Sequence, residues 1–319
     1  MQTPLWAPTE DQIRHANMTS FAAAIHQDWD VEVSSYGDLW RWSIDSMERF
    51  WLSFKDWSEV IGEGWNGTVL EPKDRLPGVR WFPDASLNFA ENLLRFRSES
   101  DALVFWGEEK VSRRLSFDEL YREVSRVAQA MRKMGVVPGD RVAAFMPNVP
   151  ETIVVMLAAT SIGAIFTSCS PDFGVRGVLD RFGQVNPKLL FGAESYLYGG
   201  REHDCLEKLA AIVEGLPSIE RTIVVPYSND NRDLDGIRDV EHLADFVVAQ
   251  DHPAPILIGA HDRLTIQEDA VALVGVLAHR FPRNAVCVSA DAVHPVQGVQ
   301  CQIAHSPDEG LHDAPHDRL

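Results

Sequence analysis

Residues 139–151 carry the sequence Gly-Asp-Arg-Val-Ala-Ala-Phe-Met-Pro-Asn-Val-Pro-Glu, and this stretch decides the fold class. The glycine and aspartate at its start favour a turn, and the apolar run Arg141–Met146 that follows predicts a buried strand. Pro150 suits the first position of a helix, which we expect to run to about Ser161. Another apolar run, Ala164–Thr167, predicts a second strand. The stretch therefore predicts a strand–helix–strand unit.

The same alternation extends toward the N-terminus as far as Ala102–Trp106, a short apolar run that predicts a strand. Ser116 and Glu119 have the spacing of a capping box, in which each side chain bonds the other residue's backbone amide at a helix start. Gly135 suits the left-handed conformation that ends many helices. The predicted helix between them carries apolar residues at helical spacing, namely Leu120, Val124, Val127, Met131 and Met134.

Toward the C-terminus, the apolar runs Leu189–Phe191 and Thr222–Val225 predict further strands, and residues from about Arg201 to Glu214 predict a helix. Strands separated by helices imply right-handed crossovers and a mainly parallel sheet. The expected fold class is therefore α/β.

Residues 1–100 have a different pattern, which is aromatic-rich and helical. All nine tryptophans of the chain lie at or before Trp106. Thr9 and Gln12 predict a capping box, and Ser43 is expected to cap a second helix. The helical spacing of Ile44, Met47, Trp51 and Phe54 predicts an apolar face. We expect this face to pack on the next domain, and a ligand site is the alternative.

The chain has 319 residues, 45% of them hydrophobic, and a formal net charge of −18, which is typical of a globular protein with an acidic surface. Such a surface repels nucleic acid and anionic membranes, so we expect neither as a partner. We also expect no signal peptide and no membrane-spanning segment. The four cysteines lack paired spacing, which favours a reduced, cytoplasmic protein.

The composition changes at about residue 252. Seven of the eleven histidines lie from that position on, whereas lysine, tryptophan and tyrosine are missing from this part. Val271–Leu277 is compatible with a helix or a strand, Ala285–Ser289 predicts a strand, and Ser306–Leu319 is expected to be disordered. Residue types that zinc favours also occur here, but at spacings that match no common zinc module: Cys287, His294, Cys301 and His305.

One pattern along the chain is formed by several segments: Leu39–Ser43, Trp81–Pro83, Leu87–Leu94, Gly139–Val142, Met146–Glu151, Gly163–Ile165, Ser168–Gly174 and Arg181–Lys188. In this order they resemble one family, the acetoacetate–CoA ligases of the AMP-forming acyl-CoA synthetase superfamily. Gly-Asp-Arg-Val at 139–142 and Pro-Asn-x-x-Glu at 147–151 are widespread in that superfamily. Ser-Cys-Ser-Pro-Asp-Phe-Gly at 168–174 is narrower and points to acetoacetate.

The resemblance covers residues 1 to about 250 and implies three parts. Residues 1–100 would form an acetyl-CoA-synthetase-like N-terminal segment. Residues 101–251 would form the first α/β subdomain of an AMP-dependent synthetase/ligase, and residues 252–319 a partly disordered tail outside the family pattern.

By resemblance, the parent reaction converts acetoacetate, ATP and CoA into acetoacetyl-CoA, AMP and pyrophosphate, so the implied small-molecule partners are these three, with Mg²⁺ as cofactor. In its first step a carboxylate attacks the α-phosphate of ATP. Because the carboxylate and the triphosphate are both negatively charged, this step requires Mg²⁺, backbone amides and cations around the phosphates.

In the family, a Ser/Thr/Gly-rich loop ending in lysine supplies those amides, just after the point where the resemblance stops. Ile256-Leu257-Ile258 suits the strand before that loop, but Gly259-Ala260-His261-Asp262-Arg263 follows it, with no glycine repeat and no lysine. The later nucleotide-binding motifs and the adenylation lysine of the C-terminal domain are also missing. No cofactor site is therefore assigned, and no catalytic residue.

We accordingly expect a truncated or frameshifted ligase that is inactive by itself. A non-catalytic CoA-, acyl- or partner-binding protein is the alternative, and a residual enzyme completed by a separate chain is a third hypothesis. A sheet that stops short leaves an open strand edge, so we also expect self-association or pairing through that edge, with poor solubility.

The substrate-loop candidates follow the carboxyl end of a predicted strand, where α/β sheets bind ligands, although a loop that only shapes the backbone is equally consistent. Within this loop, Cys169 lacks a nearby histidine in sequence, so we expect a structural thiol rather than a nucleophile. The candidates are Ser168, Cys169, Ser170, Pro171 and Asp172.

Arg201 follows Gly199 and Gly200, an arrangement similar to the position where related acetate ligases present an arginine to the 3′-phosphate of CoA. A solvated surface arginine is the alternative. Asp140 and Arg141 are expected to form a turn and the start of a strand rather than a catalytic pair.

Overall fold

The computed structural model describes residues 5–71, 79–108, 112–227 and 232–248, together with Ile256, Asp262 and the backbone of three short later strands. These residues form two compact units, of which the first holds the chain up to Asn88 and the strand Leu264–Thr265. The second holds the chain from Phe89 to Asp262 and the other two late strands. Within the described ranges, the helices are too short or too polar to span a bilayer.

The first unit is built from four helices whose aromatic side chains pack on one another. The Phe21 ring lies 5.3 Å from the rings of both Phe54 and Trp57, and the Trp29 indole donates a hydrogen bond of 2.6 Å to the Ser53 hydroxyl. Such contacts hold the unit together without an extended sheet. The helices are α1 (Glu10–Arg14), α2 (Asn17–Trp29), α3 (Tyr36–Asp45) and α4 (Met47–Trp57).

Four two-residue strands complete the described part of this unit. Strands β1 (Leu70–Glu71) and β2 (Arg80–Trp81) pair with each other in antiparallel fashion. Strand β3 (Ser86–Leu87) pairs in the same sense with the late strand Leu264–Thr265.

The capping box of Thr9 and Gln12 is confirmed at the start of α1. The prediction for Ser43 is wrong, because this residue lies inside α3 and its hydroxyl bonds back to the carbonyl of Trp40, as interior serines do. Ser35 caps α3 instead, by accepting from the amide of Asp38.

The single apolar face predicted across residues 44–54 is also wrong. Its members belong to two helices, and the break at Ser46 leaves Ile44 and Met47 exposed by 49% and 38%. Trp51 and Phe54 do pack inside the unit.

The second unit opens with α5 (Phe89–Leu93), the antiparallel strands β4 (Asp101–Trp106) and β5 (Ser112–Ser116), and α6 (Phe117–Lys133). The capping box of Ser116 and Glu119 is confirmed, and so is Gly135, which adopts a φ of +74° just after the helix. The predicted stripe of α6 is buried as far as Met131.

The rest of the second unit alternates strand and helix, as expected. Its elements are β6 (Arg141–Phe145), α7 (Pro150–Ser161), β7 (Ile165–Cys169), α8 (Val175–Val185), β8 (Leu189–Ala193), β9 (Ser195–Tyr198), β10 (Arg201–Asp204), α9 (Leu206–Gly215), β11 (Arg221–Val225), β12 (Val240–His242) and α10 (Leu243–Val248). The late strands of the second unit are β14 (Val286–Ser289) and β15 (Gln302–Ile303). The late strand of the first unit, Leu264–Thr265, is β13.

Five of these strands form one parallel sheet in the order β12-β11-β8-β6-β7. The α/β fold class with a parallel sheet is therefore confirmed. A second sheet has the order β15-β14-β4-β5, so the strand predicted over Ala285–Ser289 is present from Val286 onward. The predicted segments 271–277 and 306–319 lie outside the described residues.

Helices cover both faces of the parallel sheet. Val142 and Ala144 of β6 pack in a cluster with α6, α7 and α10, whereas Ala143 and Phe145 pack in a cluster with α8 and α9. All four side chains are fully buried. This explains why the strand is apolar throughout rather than alternating.

Gly163 shows why the segment after α7 requires a glycine. Its φ is +73°, and a Cβ would lie 3.0 Å from the Pro138 side chain and 3.1 Å from the Asp262 backbone. We expect Gly163→Ala to lower the free energy of unfolding by about 1–2 kcal/mol through the left-handed backbone conformation, with a further loss from the contacts.

Urea unfolding measures this change, with Gly174→Ala as control, because a Cβ at Gly174 meets open space at a φ of −70°. Equal unfolding midpoints for the two variants would contradict the prediction.

Candidate functional site

The carboxyl ends of the parallel strands meet at one edge of the five-stranded sheet. Strands β7, β6, β8 and β11 are neighbours and point the same way, so the loops that leave them start side by side. In open α/β sheets this edge is where ligands bind.

A crevice is expected at the end of β6. The connection that leaves β6 runs through α7 on one face of the sheet. The connections that leave its two neighbours run through α8 and α9 on the other face. Loops that diverge in this way open a crevice between them, so the segments 170–174 and 194–204 flank the candidate site.

The predicted substrate loop begins later than expected. Ser168 and Cys169 belong to β7, where they pair with Ala144 and Phe145, because strand pairing with β6 continues to the end of both strands. The loop proper is Ser170–Gly174. Its position at the carboxyl end of a strand agrees with the sequence prediction.

Asp172 ties this loop to the opposite side of the crevice. Its carboxylate accepts a hydrogen bond of 2.8 Å from the Ser170 hydroxyl and one of 2.7 Å from the Tyr196 phenol. Lys208 adds a third link by donating to the Pro171 carbonyl at 3.0 Å. Burial, with the Asp172 carboxylate beside it, raises the pKa of Tyr196, so its phenol stays protonated and remains a donor.

Cys169 and Cys205 are both buried at this edge. Burial raises the pKa of the Cys169 thiol and raises that of Cys205 to about 12. A neutral buried thiol is a poor nucleophile, since the thiolate is the reactive form. The geometry thus favours the structural interpretation of Cys169.

Arg201 lies in an antiparallel hairpin, so the helix predicted from this residue is wrong in its first part. Strands β9 and β10 pair along their whole length, from Ser195 opposite Asp204 to Tyr198 opposite Arg201. The two-residue turn between them has positive φ at both glycines, which is the geometry that suits a tight hairpin, and helix α9 begins only at Leu206. Arg201 is exposed on β10.

Sequence reasoning missed the residue that holds the base of this hairpin. The guanidinium of Arg232 lies 2.9 Å from the buried carboxylate of Glu194 and also pairs with Glu202 and Asp204. The sequence signal was Glu194, a charge directly after the apolar strand β8 that needs a partner when buried. Its partner lies 38 residues on in a polar stretch, where local patterns give no hint.

The segment Gly139–Val142, at the amino end of β6, has a structural role. Arg141 donates to the carbonyls of Val185 and Asn186, at 2.7 and 3.1 Å, where α8 ends. Asp140 accepts from Lys188 at 3.1 Å. Burial alone would raise the pKa of Asp140, but the Val137 amide and Lys188 outweigh it and lower the pKa. The turn and strand start predicted for these residues are confirmed.

The region expected to hold the phosphate loop is described only at two residues. The amide of Ile256 donates to the Tyr121 hydroxyl at 2.9 Å, and Asp262 pairs with Arg132 at 2.9 Å. Ile256 itself is not in a strand, and the rest of the predicted strand lies outside the described residues. So do the zinc-type candidates His294, Cys301 and His305, while of Cys287 only the backbone is described.

A family model described as AMP-binding enzyme matches residues 89–272. The chain belongs to this family.

The similarity to individual proteins covers more of the chain than the family model does. The chain is 43% identical to an acetoacetyl-coenzyme A synthetase of Rhizobium meliloti over 77% of its own length and 38% of that protein. It is 41% identical to an acetoacetyl-CoA synthetase of Macaca fascicularis over 76% of its length and 37% of that protein. It therefore spans less than two fifths of these relatives.

A solved structure agrees with the fold. The acetoacetyl-CoA synthetase from Streptomyces lividans superposes with a TM-score of 0.72 at 35% identity, covering 80% of this chain and 39% of that one. A malonamoyl-CoA synthetase of Penicillium aethiopicum is 33% identical over 66% of this chain and 30% of that protein.

We expect Cys169 and Cys205 to resist thiol reagents while the protein is folded, because the buried thiols stay neutral. In a Cys287→Ser, Cys301→Ser background, labelling with Ellman's reagent at pH 8 should be at least roughly tenfold slower for native than for urea-unfolded protein. Fast native labelling of one thiol would contradict the structural role.

We expect Tyr196→Phe to lower the free energy of unfolding by about 1 kcal/mol, since it removes a hydrogen bond to a charged group that is partly open to solvent. Urea unfolding with Tyr198→Phe, a half-exposed tyrosine of the same strand, as control measures the change. Adding Asp172→Asn should bring little further loss, and fully additive losses would show that the two side chains do not interact.

Proposed function

We propose that this chain is part of an acetoacetate–CoA ligase and forms the scaffold of its acyl and CoA sites. The complete reaction of such a ligase converts acetoacetate, ATP and CoA into acetoacetyl-CoA, AMP and pyrophosphate. The observation that carries the proposal is the 38–43% identity to proteins named acetoacetyl-CoA synthetase over about three quarters of the chain. The relative named for malonamoyl-CoA is less similar, at 33%, which favours acetoacetate as the acid.

We further propose that the 319-residue chain does not form the acyl-adenylate by itself. The attack of a carboxylate on the α-phosphate needs positive charge around the phosphates. At the crevice, Lys208 already binds a carbonyl and Arg232 already binds three carboxylates. These two cations would have to give up their partners to neutralise ATP.

Mg²⁺ does not fit the described residues either. Among them, no three acidic, histidine or cysteine side chains lie close enough together to hold a metal ion. We therefore assign no step of the reaction through Mg²⁺ to this part of the chain.

The segment Ser168–Asp172 is proposed to wall the acyl site. Its residues lie at the end of β7 and beside the crevice, and the links from Tyr196 and Lys208 hold the loop in one conformation. Both carboxylate oxygens of Asp172 accept hydrogen bonds from the chain's own hydroxyls. The loop's proposed contribution is thus shape and position rather than proton transfer.

Arg201 is proposed to meet the 3′-phosphate of CoA. It is exposed on the hairpin that flanks the crevice, and a guanidinium pairs well with phosphate. The hairpin face that it shares with Tyr198, Tyr196 and His203 is aromatic, with the Tyr196 and His203 rings stacked at 5.0 Å.

Acetoacetate-dependent exchange of labelled pyrophosphate into ATP tests the first step. We expect no exchange above the enzyme-free blank, because Lys208 and Arg232 would have to leave their partners within the chain to neutralise the phosphates. Exchange by the pure chain would overturn the proposed inactivity while leaving the ligase assignment intact.

Calorimetry with CoA tests the proposed role of Arg201 in CoA binding. We expect Arg201→Ala to weaken CoA binding about tenfold, the usual loss for a charge-assisted bond worth about 1.5 kcal/mol. Arg122→Ala, which removes an exposed arginine of α6, is the matched control. Equal affinities for both variants and the parent chain would refute the role of Arg201.

A further inference from the structure

The carboxylate of Glu108 holds the tip of the β9–β10 hairpin. One of its oxygens accepts from the amide of Gly199 at 2.7 Å, and the other accepts from the amide of Gly200 at 2.6 Å. The two partners lie 91 and 92 residues away in sequence, so this contact is a long-range feature of the fold.

These two amides are the donors that a two-residue hairpin turn leaves without a ladder partner. Strand pairing ends at Tyr198 and Arg201, and both glycines have positive φ, +62° and +70°. Successive amides in such a turn point to the same side and form a small anion-binding concavity. A carboxylate that bonds both amides at once satisfies the tip and fixes its orientation.

The backbone that delivers Glu108 is itself confined. Gly107, between β4 and Glu108, is so tightly enclosed that a Cβ there would lie 3.1 Å from the Tyr227 hydroxyl and 3.2 Å from the Phe105 ring. The amide of Tyr227 in turn donates to Glu194 at 3.0 Å, next to the hairpin base. The carboxylate therefore reaches the tip from a fixed origin.

The hairpin is thus held at both ends by charge. Arg232 binds Glu194, Glu202 and Asp204 at its base, and Glu108 binds the tip. The link at the tip also crosses between sheets, because β4 belongs to the sheet of β5 whereas the hairpin follows β8 of the parallel sheet.

We propose that Glu108 is a positioning residue for Arg201: by fixing the amides of Gly199 and Gly200, it sets where the guanidinium of the next residue is presented. The claim that Glu108 affects CoA binding rests on the proposed role of Arg201 toward CoA. The claim that Glu108 fixes the hairpin rests only on the two hydrogen bonds.

Hydrogen–deuterium exchange of the 319-residue chain tests the hairpin directly. In Glu108→Gln, whose neutral amide offers one acceptor in place of two, we expect the segment 195–204 to exchange roughly tenfold faster, since its tip amides lose charge-assisted bonds. Glu214→Gln, an exposed carboxylate on α9, is the control and should leave the segment unchanged. Unchanged exchange in Glu108→Gln would overturn the anchor.

Calorimetry with CoA then tests the positioning. We expect Glu108→Gln to weaken CoA binding several-fold, and to have no further effect once Arg201→Ala is present, because a residue that acts through Arg201 has nothing left to position. Losses that simply add would show that Glu108 does not act through Arg201. Tighter binding in Glu108→Gln would overturn the proposal in another way, by showing that the carboxylate competes with the ligand's phosphate for the tip amides.

The two failures are distinguishable. If Arg201→Ala leaves CoA affinity unchanged, the role of Arg201 fails and positioning fails with it, while faster exchange in Glu108→Gln would still establish the hairpin anchor.

Discussion

Complete burial of β6 on both faces is the constraint on which the second unit depends. A strand that is apolar at Val142, Ala143, Ala144 and Phe145 cannot face water on either side, so it needs a neighbour strand on each edge and a helix layer on each face. Parallel neighbours meet that need only through crossover helices. Helices α7, α8 and α9 are those crossovers, and their division between the two faces produces the crevice at the end of β6.

The same constraint separates two kinds of family segment. At the amino end of β6, Arg141 and Lys188 donate to backbone carbonyls, and Asp140 accepts from the Val137 amide and from Lys188, which stabilises the turn and the end of α8. At the carboxyl end, Asp172 and Tyr196 join two loops across the crevice. The widespread segment Gly139–Val142 therefore belongs to the scaffold, whereas the widespread segment at 147–151 and the narrower one at 168–174 both follow the carboxyl ends of their strands.

The sequence predicted those features that depend on near neighbours in the chain. Four of the five strands of the parallel sheet, the capping box at Ser116 and the left-handed Gly135 follow from patterns a few residues long, whereas β12 was not predicted.

What failed needed information from farther away. Ser43 has the chemistry of a cap, but Ser35 lies where the helix begins. The hairpin around Arg201 was missed because β10, Arg-Glu-His-Asp, has no apolar residue to mark it as a strand, although Gly199-Gly200 was a usable turn signal. Arg232 and Glu108 act on groups that lie tens of residues away, and local patterns do not encode such pairs.

The charged side chains at the carboxyl edge of the sheet indicate which part of the proposed reaction these residues support. Arg232 pairs with three carboxylates, Glu108 accepts from two amides, and Asp172 accepts hydrogen bonds at both its oxygens from within the chain. Groups engaged in this way hold loops and a hairpin in fixed positions, and that rigidity lowers the conformational entropy that the protein would lose on binding a substrate.

The same engagement withdraws Arg232 from the phosphates of ATP, because its guanidinium would have to leave three carboxylates to reach them. In the proposed function, the residues at the end of β6 therefore place an acid and a CoA nucleotide. The positive charge that a phosphoryl attack needs has to come from residues beyond those that hold the crevice together.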